Sequence, residues 1–308
     1  MRTIQLPNRF SDNFGDPIQK MFILIKEISD CPIEQEIVLD YKDARFTHVF
    51  YSMALPLLIK IYSRKGYNIR LQDNFVDPAV ESYMKVVKFP EGVDPLNFDG
   101  NVQDYLNLYR DKSYIPIICF PTNTEESTTK IRDSFLSSVN RLLVHICGLK
   151  KEMVTALMYL IDEAVNNVLH HSKDDKGYMF AQYYKSKGYV DLVVADIGQT
   201  LLDTYSNFEK YKNEVTDHES AMESALAGKS TKSIDVDRGF GISTSKELLT
   251  KGLNGKYFIY SGNVFNIHTS EINNITRLPE TIYWQGVFLS LRIPVVPVPG
   301  FNPSDFYE

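Results

Sequence analysis

Long apolar runs and cysteines are scarce in this sequence, and each scarcity excludes a class of protein. No apolar run approaches the roughly 18 residues that a membrane-spanning helix needs, and no apolar signal segment follows the first residues. The three cysteines are odd in number and widely spaced, which fits a reducing compartment and offers no metal-ligand spacing. We therefore expect a cytoplasmic protein without a membrane partner.

Basic residues are also fewer than acidic residues. The chain has 33 lysines and arginines against 39 aspartates and glutamates, a net charge of −6. Binding to a nucleic-acid backbone requires a basic face, so we expect no nucleic-acid partner. Apolar residues, in contrast, make up 44% of the 308 residues, which is enough for a sizeable core in two domains or one large domain.

The first part of the chain alternates short strands with helices, which is typical of a small α/β layer structure. Residues 89–111 are rich in proline and glycine and have no strong periodicity, so we predict a linker there. The predicted domains are therefore 1–111, linker included, and 112–308, and a fragment that starts at Lys112 is expected to fold. The predicted strands are 2–6, 36–40 and 67–71, and the predicted helices are 17–28, 47–64 and 80–87.

In the second domain, two long helices precede most of the strands. Helices first and strands later indicate an α+β sandwich with its helices on one face of the sheet. The helices are predicted at residues 124–147, 150–171 and 242–250, and the strands at 115–120, 178–184, 189–195, 256–260, 264–268 and 286–293.

The second long helix carries polar residues on a face of its own. Glu163, Asn167 and His170 stand four and three residues apart. At about 100° per residue they fall within about 60° of one another, away from the apolar stripe. Burying an acid and an amide without partners would cost several kcal/mol, so this face indicates a polar pocket. A solvated stripe is the alternative.

Two later stretches add groups that suit a nucleotide. Asp196 ends an apolar strand and can accept a hydrogen bond from an exocyclic amine, while Gly198 lets a flat ring approach the backbone. An ordinary turn is the alternative. Gly239, Phe240 and Gly241 lead into a predicted helix, whose N-terminus offers free N–H groups to phosphate. A plain junction between loop and helix is the alternative there.

In this order, the three stretches resemble the ATP-binding domain shared by gyrase B, MutL and the histidine kinases, the GHKL superfamily, over residues 115–294. The resemblance implies a Bergerat-type ATP-binding α/β sandwich with Mg²⁺ and ATP as cofactors. Thr200 departs from the family pattern, in which a second glycine usually stands at that position. The N box is matched by Glu163, Asn167 and His170, the first glycine box by Asp196 and Gly198, and the second by Gly239, Phe240 and Gly241.

The resemblance also implies roles for these residues. Glu163 would be the general base for attack on the γ-phosphate, and Asn167 would be a ligand of Mg²⁺. His170 would lie near the triphosphate, Asp196 would hold adenine with Gly198 giving it room, and residues 239–241 would cradle phosphate.

Within the superfamily, residues 163–171 look most like the anti-sigma serine kinases, and residues 37–71 resemble the STAS fold of the antagonists that those kinases phosphorylate. Thr47 and Ser52 lie near the antagonist's phosphorylated position but lack its Asp-Ser sequence, so neither is predicted to be a phosphosite. A protein partner is implied, as regulator or phosphoacceptor, and a second copy of the chain is another candidate. The activity stays open between a serine/threonine kinase, an ATPase and a non-catalytic ATP-dependent switch, although Glu163 favours catalysis.

Overall fold

The structure is a computed structural model that describes residues 1–94, 101–122, 126–171, 176–229, 246–296 and 298–302. The side chains of residues 121, 126–128 and 167–171 lie outside this description. Within the described ranges, no helix combines the length and the apolar character that a membrane crossing requires.

The N-terminal unit alternates strands and helices, as the sequence predicts. Strands β1 (Arg2–Gln5), β2 (Ile37–Asp40) and β3 (Ile69–Gln72) pair in parallel in that order. Parallel neighbours need long crossover connections, which here contain α1 (Gly15–Ser29) and α2 (Val49–Arg64). Helix α3 (Pro78–Val86) follows β3.

The rest of the chain places its helices mainly before its strands. Single π-helical turns lie at Leu142–Ile146 and at Leu248–Gly252. The elements are α4 (Val102–Asn107), β4 (Tyr114–Pro121), α5 (Glu126–Arg141), α6 (Lys151–His171), β5 (Lys176–Tyr184), β6 (Tyr189–Asp196), α7 (Leu201–Ser206), α8 (His218–Leu226), β7 (Lys256–Gly262), β8 (Val264–His268), β9 (Asn273–Arg277) and β10 (Trp284–Pro294).

Strands β4 to β10 form one seven-stranded sheet in the order β4-β5-β6-β10-β7-β8-β9, and neighbouring strands run antiparallel. The last strand, β10, therefore lies inside the sheet, between β6 and β7. In this register Phe288 stands opposite Ala195, so the start of β10 lies beside the end of β6, where Asp196 stands.

Both faces of this sheet are buried, and alternate residues of a strand belong to different cores. On β5, Tyr178 and Phe180 join the apolar cluster of the N-terminal unit, whereas Met179 and Ala181 join the cluster of α5 and α6. Strands buried on both faces lose the usual alternation of apolar and polar residues, which explains the near-continuous apolar sequence of this strand. The sheet thus separates the N-terminal unit from α5 and α6.

A buried ion pair between β6 and β10 meets the N-terminal unit at His48. Arg292 on β10 donates through Nε and Nη2 to the two carboxylate oxygens of Asp191 on β6, at 2.7 and 2.8 Å. His48, the N-cap of α2, places Nε2 3.0 Å from Asp191 Oδ2. Burial by itself would raise the pKa of Asp191, but the hydrogen bonds from Arg292 and His48 outweigh it and hold the pKa below its usual value. Separating these partners would leave a buried charge uncompensated.

The predicted α+β class is confirmed, because the chain combines helices with a large antiparallel sheet. Helices α5 and α6 cover one face, as predicted. The prediction did not include the covering of the second face by the N-terminal unit.

The predicted linker, residues 89–111, is partly structured. Helix α4 lies within it and buries Leu106 in the cluster of α5 and α6. The backbone of Val93 also bonds to β4, receiving from Cys119 N at 2.7 Å and donating to Ile117 O at 2.8 Å. The division into domains 1–111 and 112–308 stays a prediction.

Candidate functional site

Helix α6 contains all three residues of the predicted polar face. It runs unbroken from Lys151 to His171, so Glu163, Asn167 and His170 have the helical spacing on which the prediction depends. Glu163 is half-buried. The side chains of Asn167 and His170 lie outside the described residues, so the structure places their backbone only.

Two neighbouring polar residues of α6 serve a different purpose. Arg132 on α5 donates from Nη1 to Asn166 Oδ1 at 2.9 Å, and its Nη2 lies 3.7 Å from Asp162 Oδ1. Asp162 and Asn166 are four residues apart and so share one side of the helix. Asp162 and Asn166 therefore link α6 to α5, and they lie on a different side of the helix from Glu163.

Asp196 is the most firmly placed of the predicted site residues. Its side chain is 1% exposed, and both carboxylate oxygens accept backbone hydrogen bonds, Oδ1 from Gly198 N at 2.8 Å and Oδ2 from Val287 N at 3.3 Å. Alternation along β6 puts Asp196 on the same face as Val194, which belongs to the cluster of α5 and α6. The predicted adenine ligand therefore stands on the sheet face that α6 covers.

Strand β10 approaches this carboxylate closely at Gly286. The residue has φ of +90°, and a Cβ built on it would lie 2.6 Å from Asp196 Oδ1. The pairing of β10 with β7 is irregular between Trp284 and Phe288, which is consistent with a bulge at this point. Only glycine fits here, because any side chain would displace Asp196.

Thr200, which departs from the family pattern, has a local structural role. It is the N-cap of α7, where Oγ1 accepts from Asp203 N at 3.2 Å and the Asp203 carboxylate accepts from Thr200 N at 2.9 Å. This reciprocal capping box satisfies N–H groups that the first turn of a helix leaves unpaired. With φ of −73°, the position does not require glycine.

The predicted phosphate-binding stretch, Gly239, Phe240 and Gly241, lies outside the described residues. The description of the preceding segment ends at Lys229. There the Tyr205 hydroxyl donates to the backbone carbonyl of Lys229 at 2.6 Å, and Lys229 Nζ pairs with Glu214 at 3.1 Å. This lysine thus has an acidic partner.

The described residues do not contain a ready-made metal site. No group of three histidine, cysteine or carboxylate residues among them could hold a metal ion. The predicted magnesium ligand, Asn167, supplies only an amide oxygen, and its side chain lies outside the described part of the chain. The magnesium prediction therefore stays a prediction.

The sequence did not indicate the contribution of β10 to this site. Trp284 Nε1 donates to the backbone carbonyl of Asp196 at 3.2 Å, and Gln285 Nε2 donates to that of Gly198 in a short hydrogen bond. A signal was available in Gly286, because a glycine inside an apolar strand often marks a bulge or a close approach of backbones. The pairing partner of β10, however, cannot be derived from a local pattern.

Comparisons with known proteins do not assign the chain to a family. A scan against protein-family models gave no match, and a search of curated proteins gave none either. The geometry of the site is therefore the main support for a functional proposal.

Proposed function

We propose that the chain binds Mg²⁺-ATP as a protein of the GHKL type and acts on the γ-phosphate, as a serine/threonine protein kinase or an ATPase. The observation that carries the proposal is the buried Asp196 carboxylate, held by two backbone N–H groups on the sheet face that α6 covers. Glu163, Asn167 and His170 stand on that helix at the spacing of the N box. The Bergerat-type sandwich and the STAS-like character of the N-terminal unit belong to the same proposal.

Asp196 would select the base. Its carboxylate is an acceptor that can bind the exocyclic amine of adenine, whereas guanine presents a carbonyl acceptor at that position. Gly198 would leave room for the ring.

Glu163 would accept the proton of the attacking group, either a water or a protein hydroxyl. Bound Mg²⁺-ATP would supply the phosphoryl group and the positive charge that stabilises its transfer. Asn167 would offer its amide oxygen to the metal, His170 would lie near the phosphates, and residues 239–241 would border them.

Neither Thr47 nor Ser52 of the N-terminal unit suits the role of phosphoacceptor. Thr47 is 6% exposed and Ser52 is 0% exposed, so neither hydroxyl of the N-terminal unit is accessible to a kinase. The kinase alternative therefore requires an acceptor other than these two hydroxyls, on a protein partner or on a different residue of this chain.

The alternative is an ATP-dependent switch without turnover. It is favoured by the N-terminal unit, which shares an apolar core with the sheet on which Asp196 stands. Through this core, nucleotide binding could change the surface that a partner recognises.

One experiment distinguishes these activities. The full chain is incubated with γ-labelled ATP and Mg²⁺, with Glu163→Gln in parallel, and the label is followed. Free labelled phosphate supports an ATPase, and label on a protein supports a kinase. ATP that is bound but unchanged supports the switch, and ATP that is neither bound nor changed overturns the proposed function.

A further inference from the structure

Three consecutive backbone carbonyls at the end of β6 each accept a hydrogen bond from a side chain. Trp284 Nε1 donates to Asp196 O at 3.2 Å, Arg64 Nη1 donates to Ile197 O at 3.2 Å, and Gln285 Nε2 donates to Gly198 O. With the bonds on the Asp196 carboxylate, these contacts hold the 196–198 loop in one conformation.

Arg64 differs from the other two donors because it comes from the N-terminal unit. It is the last residue of α2. Ile197 belongs to the apolar cluster of the N-terminal unit, whereas Val194 belongs to that of α5 and α6. Arg64 therefore reaches the loop from the sheet face opposite α6, where it would not contact a nucleotide bound on the α6 side.

The N-terminal unit also holds the segment from which the other two donors arise. Ser29 Oγ donates to Thr281 O at 2.8 Å, and the Tyr62 hydroxyl does so at 3.5 Å. Lys65 Nζ lies 4.9 Å from the centre of the Tyr283 ring. Thr281 and Tyr283 lie just before Trp284 and Gln285 in the chain. The N-terminal unit therefore also supports the loop indirectly, through the segment that contains these two donors.

We propose that Arg64 is a positioning residue, through which the N-terminal unit orders the Asp196–Gly198 loop for an adenine nucleotide. The inference rests on the proposed function. When only a fraction of the protein has the conformation that binds the ligand, the apparent affinity is reduced by that fraction. Arg64 thus raises ATP affinity without touching ATP, and it leaves the chemistry at saturating ATP unchanged.

The test uses the full chain with Arg64→Met, Arg64→Lys and the control Arg70→Met, which removes a half-exposed arginine of the same unit. Amide hydrogen exchange of residues 196–199 is measured without nucleotide. We expect exchange at Gly198 to be about ten times faster in Arg64→Met, close to the parent in Arg70→Met and intermediate in Arg64→Lys, because lysine can still donate to the carbonyl.

Nucleotide binding gives a second readout. We expect the ATP dissociation constant of Arg64→Met to rise about tenfold, as loop opening lowers the competent fraction, while turnover at saturating ATP stays within twofold of the parent. Unchanged exchange at Gly198 in Arg64→Met overturns this inference alone, as does faster exchange throughout the sheet, which would indicate a general loss of stability. A parent that binds no adenine nucleotide overturns the proposed function and the inference with it.

Discussion

At the scale of single residues, Asp196 has two roles in the account, because it anchors its own loop and would bind the base. We expect Asp196→Ala to weaken ATP binding about 10- to 100-fold, since a hydrogen bond to a charged group is worth about 1.5–3 kcal/mol. Asp196→Asn separates the two roles, because its amide keeps the shape and one acceptor but can also donate to guanine. Calorimetry should show a smaller ATP preference over GTP in the Asn variant. An unchanged preference would contradict the adenine assignment.

Glu163 is predicted to act in the transition state only. Glu163→Gln keeps the size of the side chain but cannot take a proton, so turnover should fall by about 10²–10⁴ while ATP affinity stays within a few-fold. Asn167→Ala should weaken Mg²⁺-dependent binding as well as turnover, because a metal ligand also acts in the ground state. Glu152→Gln, at an exposed position in the first turn of the same helix, is the matched control. Parent-like hydrolysis by Glu163→Gln would refute the assignment of the base.

At the scale of elements, the buried Asp191 and Arg292 pair joins β6 to β10, and His48 links this pair to α2. Removing one partner of a buried pair costs about 3–5 kcal/mol, so Asp191→Ala should lower the free energy of unfolding in urea by that amount. The control is Asp30→Ala, which breaks the exposed pair with Lys26 and should cost less than about 1 kcal/mol. Equal losses of unfolding free energy in the two variants would show that the buried pair contributes no more to stability than an exposed pair.

The same pair predicts a dependence on pH. The pKa of Asp191 is lower in the folded chain than its ordinary value of 3.8. Its contribution to stability is therefore complete above that value and is lost as the pH falls towards the folded pKa. Urea unfolding of the parent and Asp191→Ala at pH 7 and pH 3 should show the difference between them shrinking at the lower pH.

The sequence predicts those elements that are long enough to show a clear periodicity, and it misses those that are short or that depend on distant partners. The apolar stripe predicted for α6 is confirmed at Val154, Leu157, Ile161 and Val165, which are buried, while Met158 is partly buried. Strand β9 was missed, because it is a mostly exposed polar strand at the edge of the sheet with no apolar alternation. Helix α4 is only six residues long, too short for a period, although Asn101 caps its N-terminus.

The candidate site divides in the same way. Helix α6 and the strand ending at Asp196 are local features, and the sequence places both. The donors Trp284 and Arg64 come from segments far along the chain. Trp284 reaches this loop because β10 lies beside β6 in the sheet, and Arg64 reaches it because the N-terminal unit packs on the sheet. The capping box of Thr200 with Asp203 was not predicted, because the resemblance concerns only the absence of glycine at this position.

At the scale of the whole molecule, the shared core changes the expectation for the fragment that starts at Lys112. Without residues 1–111, one face of the sheet would expose Phe180, Phe258 and Phe288, which are fully buried in the full chain. Exposed apolar patches of this kind lead to aggregation. We now expect the fragment to be insoluble alone and to be rescued by co-expression with residues 1–111. A soluble monomer with a cooperative unfolding transition would show that residues 112–308 fold independently.

The most direct test of the central claim is a calorimetric titration of the full chain with ATP and with GTP, each with and without Mg²⁺. We expect one ATP site per chain, tighter binding when Mg²⁺ is present, and GTP bound at least about tenfold more weakly, because guanine presents a carbonyl to the Asp196 carboxylate where adenine presents an amine. Absence of ATP binding, or equal affinity for ATP and GTP, would contradict the account.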